Sequence, residues 1–218
     1  MKPVILNLIR FDLSISFTAH LPSLNSDEDF RKSSTLSQMK YVRPYTLLKE
    51  FQKKTKELAQ RQSLGGASLL GFTVTGDYVS IGYFMPKSGI DSEYRGIFSM
   101  KEHDIDDIAI EFRDLNFNYN VAGYAIGLPL TKEKDNPEVA KVKNFVAELN
   151  GTRKLEGLKY TYFFERSASK YLADVRQNPQ DPAPPFVEMW VGKFIMQEYF
   201  DLYLKDHYPL DEDEDDED

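Results

Sequence analysis

Residues Ala122 to Leu149 read AGYAIGLPLTKEKDNPEVAKVKNFVAEL, and the rest of the chain is organised around them. Tyr124-Ala125-Ile126 is an apolar run too short for a helix and bounded by Gly123 and Gly127, which reads as a buried strand. Pro129 ends it, because proline lacks a backbone donor and restricts Leu128 before it. After a charged loop, Asn136-Pro137 starts a helix with an N-cap residue and a proline at the first helical position. Val139, Val142, Phe145, Val146 and Leu149 then fall on one helical face. Strand, crossing loop and amphipathic helix make half of a βαβ unit, which points to the α/β class.

The same stretch resembles the YqgF/RuvX family, RNase H-fold proteins described as Holliday-junction resolvases and pre-ribosomal-RNA nucleases. The residues that carry the resemblance are Gly127, Leu128, Pro129, Leu130, Asp135, Ala140, Val142 or Lys143, Phe145 and Leu149.

Working outward, Pro44 to Gln62 reads as an amphipathic helix, with Leu47, Leu48, Phe51 and Leu58 on one side and Gly65-Gly66 as its stop. Its basic face (Lys49, Lys53, Lys54, Lys56, Arg61) reads as a solvated side, with nucleic-acid contact as the alternative. Leu69 to Thr75 and Tyr78 to Met85 read as strands around a Gly76-Asp77 turn, and Gly96 to Met100 as a third strand. Ile105, Ile108, Ala109, Phe112 and Leu115 mark a helix with Asp104 as its N-cap. After the central stretch come a strand at Lys159 to Phe164, a short helix from Ser167 to Val175 and a long one from Phe186 to about Lys205. The expected order, β-β-β-α-β-α-β-α, is that of an RNase H-like mixed five-stranded sheet with helices on both faces.

The domain reading follows: residues 1–43 an arm or targeting segment, 44–66 the helix and linker, 67–207 the RNase H-like domain, and 208–218 an acidic, disordered tail. Residues 1–21 lack the basic start and clean apolar centre of a signal peptide. Arg31 to Arg43 has the flavour of an organellar presequence, against which stand Asp12 and Asp27-Glu28-Asp29. The other reading is an arm, without clear periodicity over its forty residues, that docks on a partner. No run reaches 18 apolar residues, so no membrane span is expected. With no cysteine there is neither a disulfide nor a thiolate metal site. Eight of the 35 acidic residues form the terminal run Asp211 to Asp218, leaving 27 acidic against 27 basic residues in the body. A neutral body counts against autonomous binding of nucleic acid through its phosphates. His20, His103 and His207 have no ligand spacing.

The resemblance implies a two-metal nuclease site of converging carboxylates, with magnesium as the ion. Leu70-Gly71-Phe72 followed by Ile81-Gly82 resembles the family's first hairpin, and the place of its aspartate falls on Thr73 or Thr75. Asp77 stands in the turn, where it would lie far from the metal. Phe164-Glu165-Arg166 resembles the Asp-Glu-Arg motif with the aspartate replaced by Phe164. Gln197-Glu198-Tyr199-Phe200 resembles the closing Gln-x-Tyr-Leu segment, and counting back from it puts Glu188 at the place of the helix aspartate. Glu165 and Glu188 are thus the remnant candidates for catalysis or metal. The alternatives are a surface ion pair at Glu165-Arg166 and an acid favouring the helix dipole at Glu188. The expectation is a non-catalytic scaffold or assembly subunit, with no cofactor, protein partners and RNA left open. It would sit in a mitochondrial ribosome or another mitochondrial assembly, failing that in the cytoplasm. The alternative is a magnesium-dependent nuclease acting on structured RNA or branched DNA, working through Glu165, Glu188 and Asp77.

Overall fold

The computed structural model describes residues 38–61, 66–86, 89–90, 96–130, 136–176 and 186–207, with backbone only at 89–90, 172–176 and 186–189. The arm before residue 38, the tail after 207, Asp135 and the Pro-rich connection at 178–185 lie outside them.

In chain order the elements are β1 (Lys40–Tyr41), α1 (Pro44–Gln60), β2 (Ser68–Thr75), β3 (Tyr78–Met85), β4 (Gly89–Ile90), β5 (Gly96–Ser99) and α2 (Ile105–Asn118). Then follow β6 (Val121–Pro129), α3 (Pro137–Gly151), β7 (Lys159–Glu165), α4 (Ser167–Arg176) and α5 (Phe186–Tyr203). The sheet runs β1-β7-β6-β2-β3-β4, with β5 also on β3. β2, β3 and β5 are antiparallel neighbours, whereas β6 and β7 run parallel to β2. That order, three hairpin strands extended by two crossover strands, is the RNase H-like arrangement.

Five of these strands are the expected ones. The sheet nevertheless has seven, because two-residue strands cap its edges. β1 pairs with Lys159–Tyr160 of β7, and β4 pairs with Phe84–Met85 of β3 beyond the stretch that β5 covers. Pairs this short carry no periodic signal.

Local chemistry explains the boundaries. Gly76, at φ +55°, makes the β2–β3 turn. The Asp104 carboxylate caps α2 by accepting from the Asp107 N–H at 2.9 Å. Asn136 caps α3, its Oδ1 accepting from the N–H groups of Glu138 (2.8 Å) and Val139 (3.4 Å).

Two apolar layers sandwich the sheet. On one face Leu70, Phe72, Val74, Tyr124 and Ile126 meet α2 and α3 through Phe112, Val142, Phe145 and Leu149. On the other, Leu69, Phe84, Ala125 and Phe163 meet α1 and α5. α1 is therefore part of the core: Leu47, Leu48 and Phe51 are buried against the sheet. One lysine of its basic face also turns inward, Lys54 Nζ donating to the Val121 carbonyl at 2.6 Å. Burial lowers the pKa of that amine.

Candidate functional site

β2, β6 and β7 run parallel, so their C-terminal ends lie at one edge of the sheet. There the α5 face carries Thr73 from β2, Gly127 from β6 and Glu165 from β7. Strand alternation sets this: Gly71, Thr73 and Thr75 point one way, and Phe72 and Val74 the other.

Thr73 stands in the middle of this edge, buried, its Oγ1 donating to the Gly127 carbonyl at 2.9 Å. Glu165 passes on the far side of the same glycine: a Cβ built on Gly127 would lie 3.3 Å from the Glu165 Cγ. By register Thr73 is level with Gly127 and Phe163, and Thr75, on the same ladder continued, with Pro129 and Glu165. Thr75 ends the strand two residues further out, its Oγ1 buried without a hydrogen-bond partner among the described residues.

The space above Gly71 and Gly127 is filled. Ile195 of α5 comes within 3.1 Å of a Cβ built on Gly71 and 2.3 Å of one built on Gly127. A nuclease of this fold would gather carboxylates and metal there; this chain has a branched aliphatic side chain.

Glu165 is 3% exposed, so the reading of Glu165-Arg166 as a surface ion pair is overturned. Its carboxylate turns onto the first turn of α4: Oε2 accepts from the Ser169 N–H at 2.9 Å and Oε1 from the Ser169 hydroxyl. Burial, the largest influence, pushes its pKa up, the Ser169 bonds oppose this, and the charge of Glu198 adds to it. The missed residue is Glu198 of α5, whose Oε2 accepts from the N–H groups of Arg166 (2.8 Å) and Ser167 (2.9 Å). Two acids therefore satisfy orphan donors at one helix N-terminus. The sequence signal was a helix starting at Ser167 with no Asp or Asn before it.

The other candidates do not join them. Phe164, which the resemblance puts at the place of the motif's aspartate, is sent by alternation to the sheet face opposite Glu165. Asp77 sits in the turn that extends β2 from this same edge, not from the opposite one. Its carboxylate pairs with Lys101 at 2.6 Å, which lowers its pKa. Glu188 lies in the first turn of α5, seven residues before Ile195, so the helical rise separates their backbones by roughly 10 Å along the axis. Among the described residues no three His, Cys, Asp or Glu side chains come together as a metal site. The residues at the edge do not fit a two-metal centre. One hydroxyl is committed to a carbonyl, one carboxylate to a helix end, and a hydrocarbon covers Gly71 and Gly127.

No family model matches the chain, and no curated protein sequence matches it. Among solved structures it is similar to T. thermophilus RuvC in complex with Holliday junction substrate, at 8% identity and a TM-score of 0.40, over 62% of this chain and 95% of that one. It is also similar to RNase H1 from the halophilic archaeon Halobacterium salinarum, at 10% identity and a TM-score of 0.24, over 47% of this chain and 86% of that one. At these scores the likeness adds nothing to the site, and the RNase H-like assignment rests on the strand order itself.

Proposed function

We propose that the chain is a non-catalytic RNase H-fold protein of YqgF/RuvX type, serving as a scaffold or assembly subunit of a large complex. The observation that carries this reading is Ile195 packed over Gly71 and Gly127, with the Thr73 hydroxyl and the Glu165 carboxylate already hydrogen-bonded inside the fold. A metal there would have to displace an isoleucine and release the cap of α4. The neutral body supports protein partners over nucleic acid. The presequence flavour of Arg31 to Arg43, together with the family's link to ribosomal RNA, points to an organellar ribosome or another mitochondrial assembly.

Gradient sedimentation of a lysate, with mass spectrometry of the fractions, tests the scaffold reading. Comigration with a large assembly is expected, and sedimentation as a free monomer or dimer counts against it. The nuclease alternative is tested with purified protein, magnesium and branched DNA or structured RNA. No cleavage is expected. Cleavage that vanishes when Glu165 and Glu188 are both changed to Gln would establish the enzyme instead.

A further inference from the structure

α2 buries one side, through Ile108, Ala109, Phe112 and Leu115, and carries a patterned strip on the other. At roughly 100° per residue, Ile110, Arg113, Asp114 and Phe117 fall within one arc that faces away from the sheet. Phe117 is 86% exposed, more than any other large apolar side chain among the described residues, and Ile110 is 36% exposed. A single exposed ring needs no explanation. Here, however, a second apolar residue stands two turns away on the same line, with a charge pair between them. Ile110 also borders a hollow of about 310 Å³, walled by Phe98, His103, Asp107 and Glu111, with room for a phenyl ring.

The charge pair lies sideways across the strip. Arg113 donates to Asp114 Oδ1 from Nη2 at 3.1 Å and from Nε at 3.2 Å, and both side chains stay 55% exposed. Such a pair adds little to a lone helix. Its place in the order is what matters. Apolar, plus, minus, apolar at 110, 113, 114 and 117 reads the same from either end in apolar character and opposite in charge. A second strip laid on it antiparallel is therefore its complement.

We infer that the outer face of α2 docks on the α2 of a second copy, antiparallel about a two-fold axis between residues 113 and 114. The Phe117 of each copy then stands level with the Ile110 of the other. The two Arg113–Asp114 pairs gather about the axis, two charges of each sign. Asp106 and Asp107 end up roughly 20 Å along the axis from their symmetry mates, whereas a parallel pairing would set these acids side by side. A helix of 14 residues is about 21 Å long, so the contact is small and the pairing weak and concentration-dependent. The inference is independent of the scaffold reading and of whether the chain is catalytic.

Sedimentation equilibrium of the purified full chain over a concentration series tests it. The average mass should rise from one chain towards two. Phe117→Ser, outside the core, should weaken the pairing by about a hundredfold or more, because the ring enters the interface twice. Arg113→Asp alone, or Asp114→Arg alone, should weaken it by about tenfold, since four like charges then meet at the axis. The chain carrying both changes should pair as the unaltered one does, and an equimolar mixture of the two single variants should pair better than either alone. A mass that stays at one chain up to about 1 mM would overturn the inference. So would a dimer indifferent to Phe117→Ser, or a double variant that pairs no better than the single ones, since the copies would then meet elsewhere.

Discussion

The two faces of the sheet are built on opposite principles. Under α2 and α3 the sheet presents bulk. Phe72 meets Phe112 edge-on at 5.1 Å, Tyr124 at 5.8 Å and Phe145 at 6.1 Å, and the Tyr124 hydroxyl donates to Asn116 Oδ1 at 2.7 Å. Under α5 the sheet presents glycines, and the helix drops onto them. A Cβ on Gly82 would lie 2.3 Å from the Gly192 carbonyl oxygen, and one on Gly192 would lie 2.2 Å from the Ile81 carbonyl carbon. The tight face is the one on which a nuclease of this fold would need room. What differs is the size of the side chains at the interface, and it decides whether an edge can hold ions or only hydrocarbon.

The comparison breaks most heavily on the bulky face. Phe72→Ala removes a fully buried ring from the centre of an aromatic cluster and leaves a cavity that three neighbouring rings cannot all close. A loss of about 3–5 kcal/mol is expected by denaturant titration. Gly82→Ala tests the tight face in the opposite sense, by adding one carbon. The obstructing atoms are backbone on both sides, so α5 must lift as a unit, and a loss of about 1–3 kcal/mol is expected. If the substitution is neutral, the helix is not held on the glycines.

Glu165 sharpens the comparison at the sheet edge. Glu165→Ala strands the N–H and hydroxyl of Ser169, at a cost of about 1–3 kcal/mol offset by relief of burying an acid. The pH dependence gives the cleaner reading. Because burial raises this carboxyl above its ordinary value, the folded chain keeps a proton where the unfolded chain has lost it. The resulting stability is full below the ordinary glutamate range and is lost as pH rises through the raised value. Glu165→Gln cannot ionise, so its stability relative to the unaltered chain should climb as pH rises above the ordinary glutamate range in denaturant titrations. A constant difference over that rise would show that Glu165 titrates as an ordinary exposed acid.

Most of the fold is legible in the sequence because its signals are local. Gly76 at the hairpin, Asp104 and Asn136 before their helices, and Pro129 at the end of β6 each act within a few residues of themselves. The edge is only half readable. That β2 carries Thr73 where the resemblance expects an acid can be read from the sequence, but Ile195 covering the edge requires knowing that Gly71 and Gly127 lie beneath one turn of a helix more than sixty residues away. β1 and β4 are invisible for a different reason, since two residues do not make a period.

The smallest effect separates these two kinds of information at two helix ends. α3 is capped from within by Asn136, whereas α4 is capped from across the fold by Glu198. Asn136→Ala should cost about 1 kcal/mol, and the loosening, read by hydrogen exchange, should stay in the first turn of α3. Glu198→Ala should remove two bonds to the start of α4 and weaken the hold between α4 and α5. Exchange should then quicken at Arg166 and Ser167 while α3 is unchanged. If both substitutions loosened only their own helices, the Glu198 contact would be a cap and nothing more. If Glu198→Ala also speeds exchange in the middle of α5, this acid is the tie between the last two helices.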